Sequence, residues 1–216
     1  MSKAKIIGVT SPRIEGLTSA GDLIAYAARV SNPSNQMNSE TAPKLLKYLA
    51  THEHWSPFEM VHVVMEINTT RDIARQILRH RSFSFQEFSQ RYATVESLGF
   101  ETREARLQDL KNRQNSIDVS DEELQLEWQN AQSDVIDLIT EVYGWALENG
   151  IAKEQARAVL PEGLTRSRMY MSGSVRSWIH YIQLRRQEGT QKEHREIALD
   201  AQAEILKEFP SLEGIL

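Results

Sequence analysis

Arg79-His80-Arg81 stands seven residues ahead of Ser89, and the stretch continues Ser82-Phe83-Ser84-Phe85-Gln86-Glu87-Phe88-Ser89-Gln90-Arg91-Tyr92. Three cationic or protonatable side chains are followed by hydroxyl, amide and aromatic groups that hold one acid, Glu87. Arg and Glu are almost never fully buried unpaired, so the stretch does not read as core. Disordered chain rarely carries three Phe and a Tyr this close together. The mixture suits a concave site that binds an anion and a flat ring at once.

Each polar residue here admits more than one role. Ser89 is a nucleophile if a base lies beside it, and otherwise a hydroxyl that donates to phosphate. Glu87 is a salt-bridge partner for Arg79 and Arg91, or an acceptor for a ribose hydroxyl or ring N–H. His80 lies between two arginines, whose charge disfavours its protonated form; neutral imidazole donates at one nitrogen and accepts at the other. A second group, His52, His54, Glu59 and His62, has side chains that suit zinc or iron. Its spacing matches no helix-borne ligand pair, and Pro57 makes the segment an irregular loop that can face a polar ligand instead.

The arginines cluster where an anion pocket would need them. The chain has 216 residues, no cysteine and a formal net charge of -5. Yet Arg71, Arg75, Arg79, Arg81 and Arg91 meet only Asp72 and Glu87 in their segment. Arg157, Arg166, Arg168, Arg176, Arg185 and Arg186 meet only Glu162. Arg is the planar, bidentate donor for phosphate and carboxylate. The acidic total argues against a nucleic-acid or membrane-surface binder, since those present a net basic face. Lack of Cys removes disulfides, thiolate metal sites and Cys nucleophiles. No run reaches the ~18 apolar residues of a membrane helix, and Met1 to Lys5 has no apolar signal core, so a cytoplasmic protein is expected.

The elements that must position these residues follow from periodicity. Lys5 to Thr10 reads as a strand, Thr18 to Val30 as a helix stopped by Pro33, and Ser39 to Leu49 as a second helix. Met60 to Asn68 alternates as a strand, and Thr70 caps a helix through Ile73, Ala74, Ile77 and Leu78. Ala93 to Asn115 has no clear period. Ser120-Asp121-Glu122-Glu123 reads as a capping box opening a long amphipathic helix through Trp128, Val135, Leu138, Ile139, Val142 and Trp145, closed at Asn149-Gly150. A short helix from Lys153 ends at Pro161, Leu164 to Ser172 is extended, and helices cover Ser174 to Gln187 and Gln191 to Phe209. One α+β domain over 1–216, with a mainly antiparallel sheet flanked by long helices, is the expected fold class.

Several blocks in order resemble the flavin-dependent thymidylate synthases. Arg79-His80-Arg81, seven residues, then Ser89 resembles their signature, with Ser84, Glu87, Arg91 and Tyr92 in agreement. Ala28-Arg29-Val30-Ser31, His54-x-Ser56-Pro57-Phe58-Glu59, Ala156-Arg157-x-Val159-Leu160-Pro161, Val175-Arg176-Ser177 and Leu184-Arg185 resemble further blocks of that family. The resemblance runs from about Ala27 to the last helix and weakens between Ala93 and Gly150.

That resemblance implies a homotetramer with active sites at subunit interfaces. It implies conversion of dUMP to dTMP, with 5,10-methylenetetrahydrofolate as carbon donor, FAD as cofactor and NADPH as its reductant. Carried over by position, dUMP contacts are Gln76, Arg79, Glu87, Phe88, Ser89, Gln90, Arg91, Arg157 and Arg185. Arg185 is the implied catalytic cation, beside the ionised N3 of uracil. FAD contacts are Ser56, Arg79, His80, Arg81, Glu87, Ser174, Val175, Arg176 and His180; no metal is implied. Gln86, Ser174 and His180 stand where members carry Asn, and Gly189 stands where some carry a flavin-contacting His.

Overall fold

In a computed structural model that describes residues 3–216, the chain builds one four-stranded sheet and seven α-helices among the described residues. The strands in chain order are β1 (Ala4–Val9), β2 (His62–Thr70), β3 (Ser84–Glu87), β4 (Arg106–Gln108), β5 (Ser116–Asp118) and β6 (Arg166–Ser174). The helices are α1 (Ala20–Ala28), α2 (Ala42–Thr51), α3 (Arg71–Ile77), α4 (Glu122–Glu148), α5 (Lys153–Ala156), α6 (Val175–Arg185) and α7 (Lys192–Glu208). The main sheet has the order β1-β2-β6-β3 with every pair antiparallel, and β4 and β5 form a separate hairpin. The α+β class expected from the sequence is what the chain adopts.

The sheet buries one face. Val63, Met65 and Ile67 of β2 and Met169 and Met171 of β6 are buried, while alternate residues point away, as a period of two requires. Helices α6, α7 and α3 supply the other half of the core through Trp178, Ile179, Ile182, Ile197, Ala198, Ile73 and Ile77. Each such side chain contributes about 1.5–3 kcal/mol on burial, so this layer outweighs the exposed ion pairs as a source of stability. Trp178 satisfies its indole N–H on the Val63 carbonyl at 3.1 Å, which anchors α6 across the sheet.

The sequence leaves β3 unassigned, although the motif runs into it. It is a four-residue edge strand registered on β6 from Ser84 opposite Ser172 to Glu87 opposite Met169. No residue of this short strand is fully buried, and four residues are too few to establish a period. What holds it is the preceding residue. Phe83 lays its ring over Gly173, edge-on to Trp178 (4.9 Å between centroids) and to Tyr181 (6.0 Å). A Cβ at position 173 would stand 2.4 Å from that ring.

Other local expectations need correction. Asp121, not Ser120, caps α4: its carboxylate accepts the Leu124 N–H at 3.1 Å, one residue later than a Ser120 box would place it. Thr70 occupies the N-cap position of α3 but caps no backbone N–H; its hydroxyl donates to Asp72 instead (2.6 Å). The segment from Ala93 to Asn115 folds as a 3-10 turn (Val95–Ser97), an isolated bridge from Phe100 to Thr165 and the β4 arm of the hairpin. It lacks a period because no single element spans it. The apolar residues of α4 do not all turn inward: Leu138 is 61% and Trp145 58% exposed, with Trp128 and Val135 exposed too. Gln132, Tyr143 and Ala146 are its buried contacts.

Gly173→Ala should cost about 1–3 kcal/mol, because the new methyl overpacks a ring that cannot retreat from Trp178 and Tyr181. Urea unfolding of the two proteins side by side would measure it, and an unchanged midpoint would show that Phe83 has room to move.

Candidate active site

The turn that carries Arg79, His80 and Arg81 lies between the end of α3 and β3, and α6 pins it at two points. Arg185, the last residue of α6, donates from Nε to Nε2 of His80 at 2.9 Å. At the other end of α6, the Ser177 hydroxyl donates to the Ser82 carbonyl at 3.4 Å. The first bond requires a neutral imidazole, since a guanidinium can only donate. His80 meets that requirement: burial first, then Arg185, then Arg79, push its pKa down to about 4. The like-charge effect expected from the sequence is present, but burial exceeds it, and Arg185 is a larger contributor than the neighbouring arginine.

Behind this turn lies a buried polar group that sequence reasoning missed. His194 of α7 is fully buried, with Nδ1 3.3 Å from Oε1 of Gln76 and Nε2 3.2 Å from the Tyr181 hydroxyl. Burial, with Arg185 and His80 adding to it, lowers its pKa to about 3. The Tyr181 hydroxyl is pushed up by burial. In the sequence His194 looked like one polar residue of an amphipathic helix, and only the crossing of α7 with α3 and α6 gives it partners.

The second cluster surrounds Glu87 to Arg91. Gln90 and Arg157 line a cleft of about 520 Å³ with Arg71, Arg75, Glu154 and Glu162. Ser89 and Arg91 line an adjoining space of about 590 Å³ with Tyr92, Lys153 and Glu154. The phenyl-bearing Phe88 is half-buried, and its N–H donates to the Arg168 carbonyl at 2.9 Å, extending the β3–β6 pairing by one bond. Glu87 does pair with arginines, but with Arg75 (3.2 Å) and Arg71 (3.6 Å) of α3, not with Arg79 and Arg91. The reason is geometric. Arg71 and Arg75 are four apart and share the helix face that meets β3, whereas Arg79 lies beyond the helix end. The Ser167 hydroxyl donates a further bond to Glu87 at 2.9 Å. Arg91 reaches Glu154 at 3.5 Å. Ser89 has no side-chain base at hydrogen-bond distance among the described residues, which removes the support that the nucleophile role needs.

The third cluster joins the loop after α2 to the start of α6. Ser174 caps α6 by accepting the Ser177 N–H at 3.2 Å. Arg176 donates to Glu59 at 2.7 Å, and its Nε is buried with no partner. Burial opposes the charge of Glu59, but Ser174 and Arg176 outweigh it and hold the carboxyl below its ordinary range. His180 is exposed, edge-on to Trp55 at 5.2 Å, and Ser56 is exposed in the same loop. Val175 is fully buried, opens α6 and gives its N–H to the Val61 carbonyl, so its backbone donor is already used. His52 stacks on Tyr48, His54 stands edge-on to the same ring, and Glu59 is committed to Arg176; no metal-binding group is found among the described residues.

Four site arginines stand out by what they lack. Arg79, Arg81, Arg157 and Arg185 make no ion pair among the described residues, although acids outnumber bases in the chain. By contrast Arg71, Arg75, Arg103, Arg106, Arg166, Arg168 and Arg176 are all paired. Around the site the available donors include the orphaned buried Nε of Arg176, the orphaned buried Nε2 of Gln90, and guanidinium N–H groups of these four arginines. Such a set fits phosphate-bearing ligands with more than one anionic centre, as FAD and a nucleoside monophosphate are.

The two buried histidines give a pH test with a definite sign. Unfolded histidines bind protons near 6.5, whereas folded His80 and His194 bind them near 4 and 3. Between those values the unfolded chain holds more protons, so stability is complete above about 6.5 and falls as the pH drops towards 4. Melting temperatures from pH 7.5 to 5 should decline, and His194→Gln should show a shallower decline; equal slopes would contradict the assignment.

Comparison with known proteins gives the family and the fold. The family described as thymidylate synthase complementing protein matches residues 14–211. A protein of Paramecium bursaria Chlorella virus 1, named as a probable flavin-dependent thymidylate synthase, is 53% identical over 97% of this chain and 96% of its own. A flavin-dependent thymidylate synthase of Synechocystis is 50% identical over 98% of both chains. In fold, the chain is similar to a UMP/dUMP methylase of Streptomyces cacaoi solved with 5-Br dUMP. The TM-score is 0.82 over 98% of this chain and 93% of that one, at 24% identity. The ordered blocks, the arginine clusters and these matches agree, and the chain belongs to the flavin-dependent thymidylate synthase family.

Proposed function

We propose that the protein is a flavin-dependent thymidylate synthase that reductively methylates dUMP to dTMP in de novo dTMP synthesis. The observation that carries this is the set of guanidinium groups at Arg79, Arg81, Arg157 and Arg185, held in family positions without carboxylate partners.

In this reading 5,10-methylenetetrahydrofolate is the carbon donor. FAD reduced by NADPH supplies the hydride that completes the methyl group. Arg185 is the catalytic residue. Its Nε is committed to His80, which leaves its Nη groups to face the uracil and stabilise negative charge at N3. That charge, delocalised through the ring, makes the carbon that gains the methylene more nucleophilic. Ser89, Arg91 and Arg157 hold the 5′-phosphate, and the buried Nε2 of Gln90 supplies another donor. Gln76, Phe88 and Glu87 complete the nucleotide side. Ser56, Arg79, His80, Arg81, Glu87, Ser174, Val175, Arg176 and His180 form the flavin side.

Trp128, Val135, Leu138 and Trp145 of α4 lie at the surface, and the cleft lined by Gln90 and Arg157 is open. Both favour a homotetramer in which chains 1–216, each folded as one domain, complete one another's sites. The cytoplasm is the compartment that the nucleotide and folate substrates imply. No helix among the described residues is long and apolar enough to cross a membrane.

Purified protein should carry the yellow flavin spectrum, and that spectrum should bleach with NADPH. Arg185→Ala should lower dTMP formation about 10²–10³-fold with the spectrum intact, the loss typical of one preorganised electrostatic donor. Near-normal turnover would contradict the role. Ser89→Ala should weaken dUMP binding about 10–10²-fold, since a hydrogen bond to a charged group is worth about 1.5–3 kcal/mol. Normal dUMP binding with turnover abolished would restore Ser89 as a nucleophile.

A further inference from the structure

Gln76 is not free to choose which end of its amide faces the site. Its Nε2 donates to Oε1 of Gln191 at 2.7 Å, and Nε2 of Gln191 donates to Oε2 of Glu193 at 3.0 Å. Glu193 is a carboxylate held by Arg106 of β4, and their side chains are only 14% and 10% exposed. An ionised carboxylate accepts and never donates. Gln191 must therefore turn its NH₂ towards Glu193 and its oxygen towards Gln76. Gln76 must turn its NH₂ towards Gln191 and its oxygen towards His194. The proton of neutral His194 must then sit on Nδ1, and Nε2 accepts from the Tyr181 hydroxyl. Every donor–acceptor choice in this series follows from the one group that has no choice.

We propose that Glu193, anchored by Arg106, sets the donor–acceptor polarity of Gln76 through Gln191, with His194 beyond it following suit, and so acts as a positioning residue for nucleotide recognition. Its consequence for dUMP rests on the role of Gln76 in the proposed function; the polarity itself does not. An amide that flips exchanges a donor for an acceptor at the same place. A nucleotide polar group that meets the correct end gains a hydrogen bond, and one that meets the wrong end loses it and faces a like dipole. The residues responsible lie outside the Arg-His-Arg stretch, on β4 and at the start of α7. They reach it through the loop at Gln191.

Glu193→Gln is the decisive change, because it keeps shape and lets position 193 donate or accept. Glu193→Asp keeps an acceptor-only group and serves as the conservative control. Two readouts are needed: the ¹⁵N shifts of the His194 imidazole, assigned by comparison with His194→Gln, and the affinity of the flavin-loaded protein for dUMP. The wild type should show His194 protonated at Nδ1, Glu193→Asp the same, and Glu193→Gln a tautomer mixture shifted towards Nε2 protonation, because Arg106 still needs the new amide's oxygen and its NH₂ then faces Gln191. The dUMP Kd should rise about tenfold in Glu193→Gln and less than about threefold in Glu193→Asp. A wild-type tautomer and wild-type affinity in Glu193→Gln would overturn the proposal. So would equal losses in both variants, since a merely structural contact does not distinguish them. A tautomer mixture with unchanged dUMP affinity would uphold the polarity and remove Gln76 from the nucleotide contacts instead.

Discussion

A guanidinium can donate but cannot accept, and an imidazole can accept only while it is uncharged. The bond from Arg185 to His80 joins these two facts, and the architecture of the site depends on it. It holds the end of α6 against the turn that follows α3, so one contact orients both the implied catalytic cation and the Arg-His-Arg stretch. Burial keeps the imidazole neutral, and the cations around it reinforce that state rather than threaten it. In water the same arrangement would be worth little, because solvent would compete for Arg185 and the histidine would titrate near neutrality.

Much of this was legible in the sequence, and the limits are physical. Strand β2 and helices α1, α6 and α7 declare themselves because one face of each is buried along its length. Strand β3 does not, because its place is set by Phe83 over Gly173 and by pairing with β6, both remote in sequence. The cap of α4 is misread by one residue because Ser120 and Asp121 can each start a helix, and local pattern does not separate them. The arginine clusters were visible as counts. Which arginines are paired was not, because pairing depends on helix facing: Arg71 and Arg75 take Glu87, and Arg79 is left over. His194 carried no signal at all, since a single polar residue in an amphipathic helix is ordinary until three elements close around it.

The ion pairs also divide by purpose. Pairs such as Arg176 with Glu59 and Arg71 with Glu87 link elements that flank the site, and their partial burial lets them fix positions that exposed pairs cannot. The unpaired guanidinium groups stand between those links. The protein thus bears a cost in electrostatic stability at the places where an anionic ligand would repay it. This is the usual trade between a relaxed fold and a prepared site.

The pairing of β2 with β6 has a consequence for how the chain comes to be folded. Asn68 and Arg168 are cross-strand partners 100 residues apart. Closing so long a loop is slow and entropically unfavourable before its contacts form. Strand β3 has no neighbour other than β6, and Phe83 has no seat until Gly173 arrives. The Arg79–Tyr92 segment therefore leaves the ribosome early and waits for some eighty more residues before it can be fixed, at elongation rates of ~5–20 residues per second. During that interval three phenylalanines and a run of arginines are open to other partners. The segment that defines the chemistry is among the last parts of the molecule to acquire its shape.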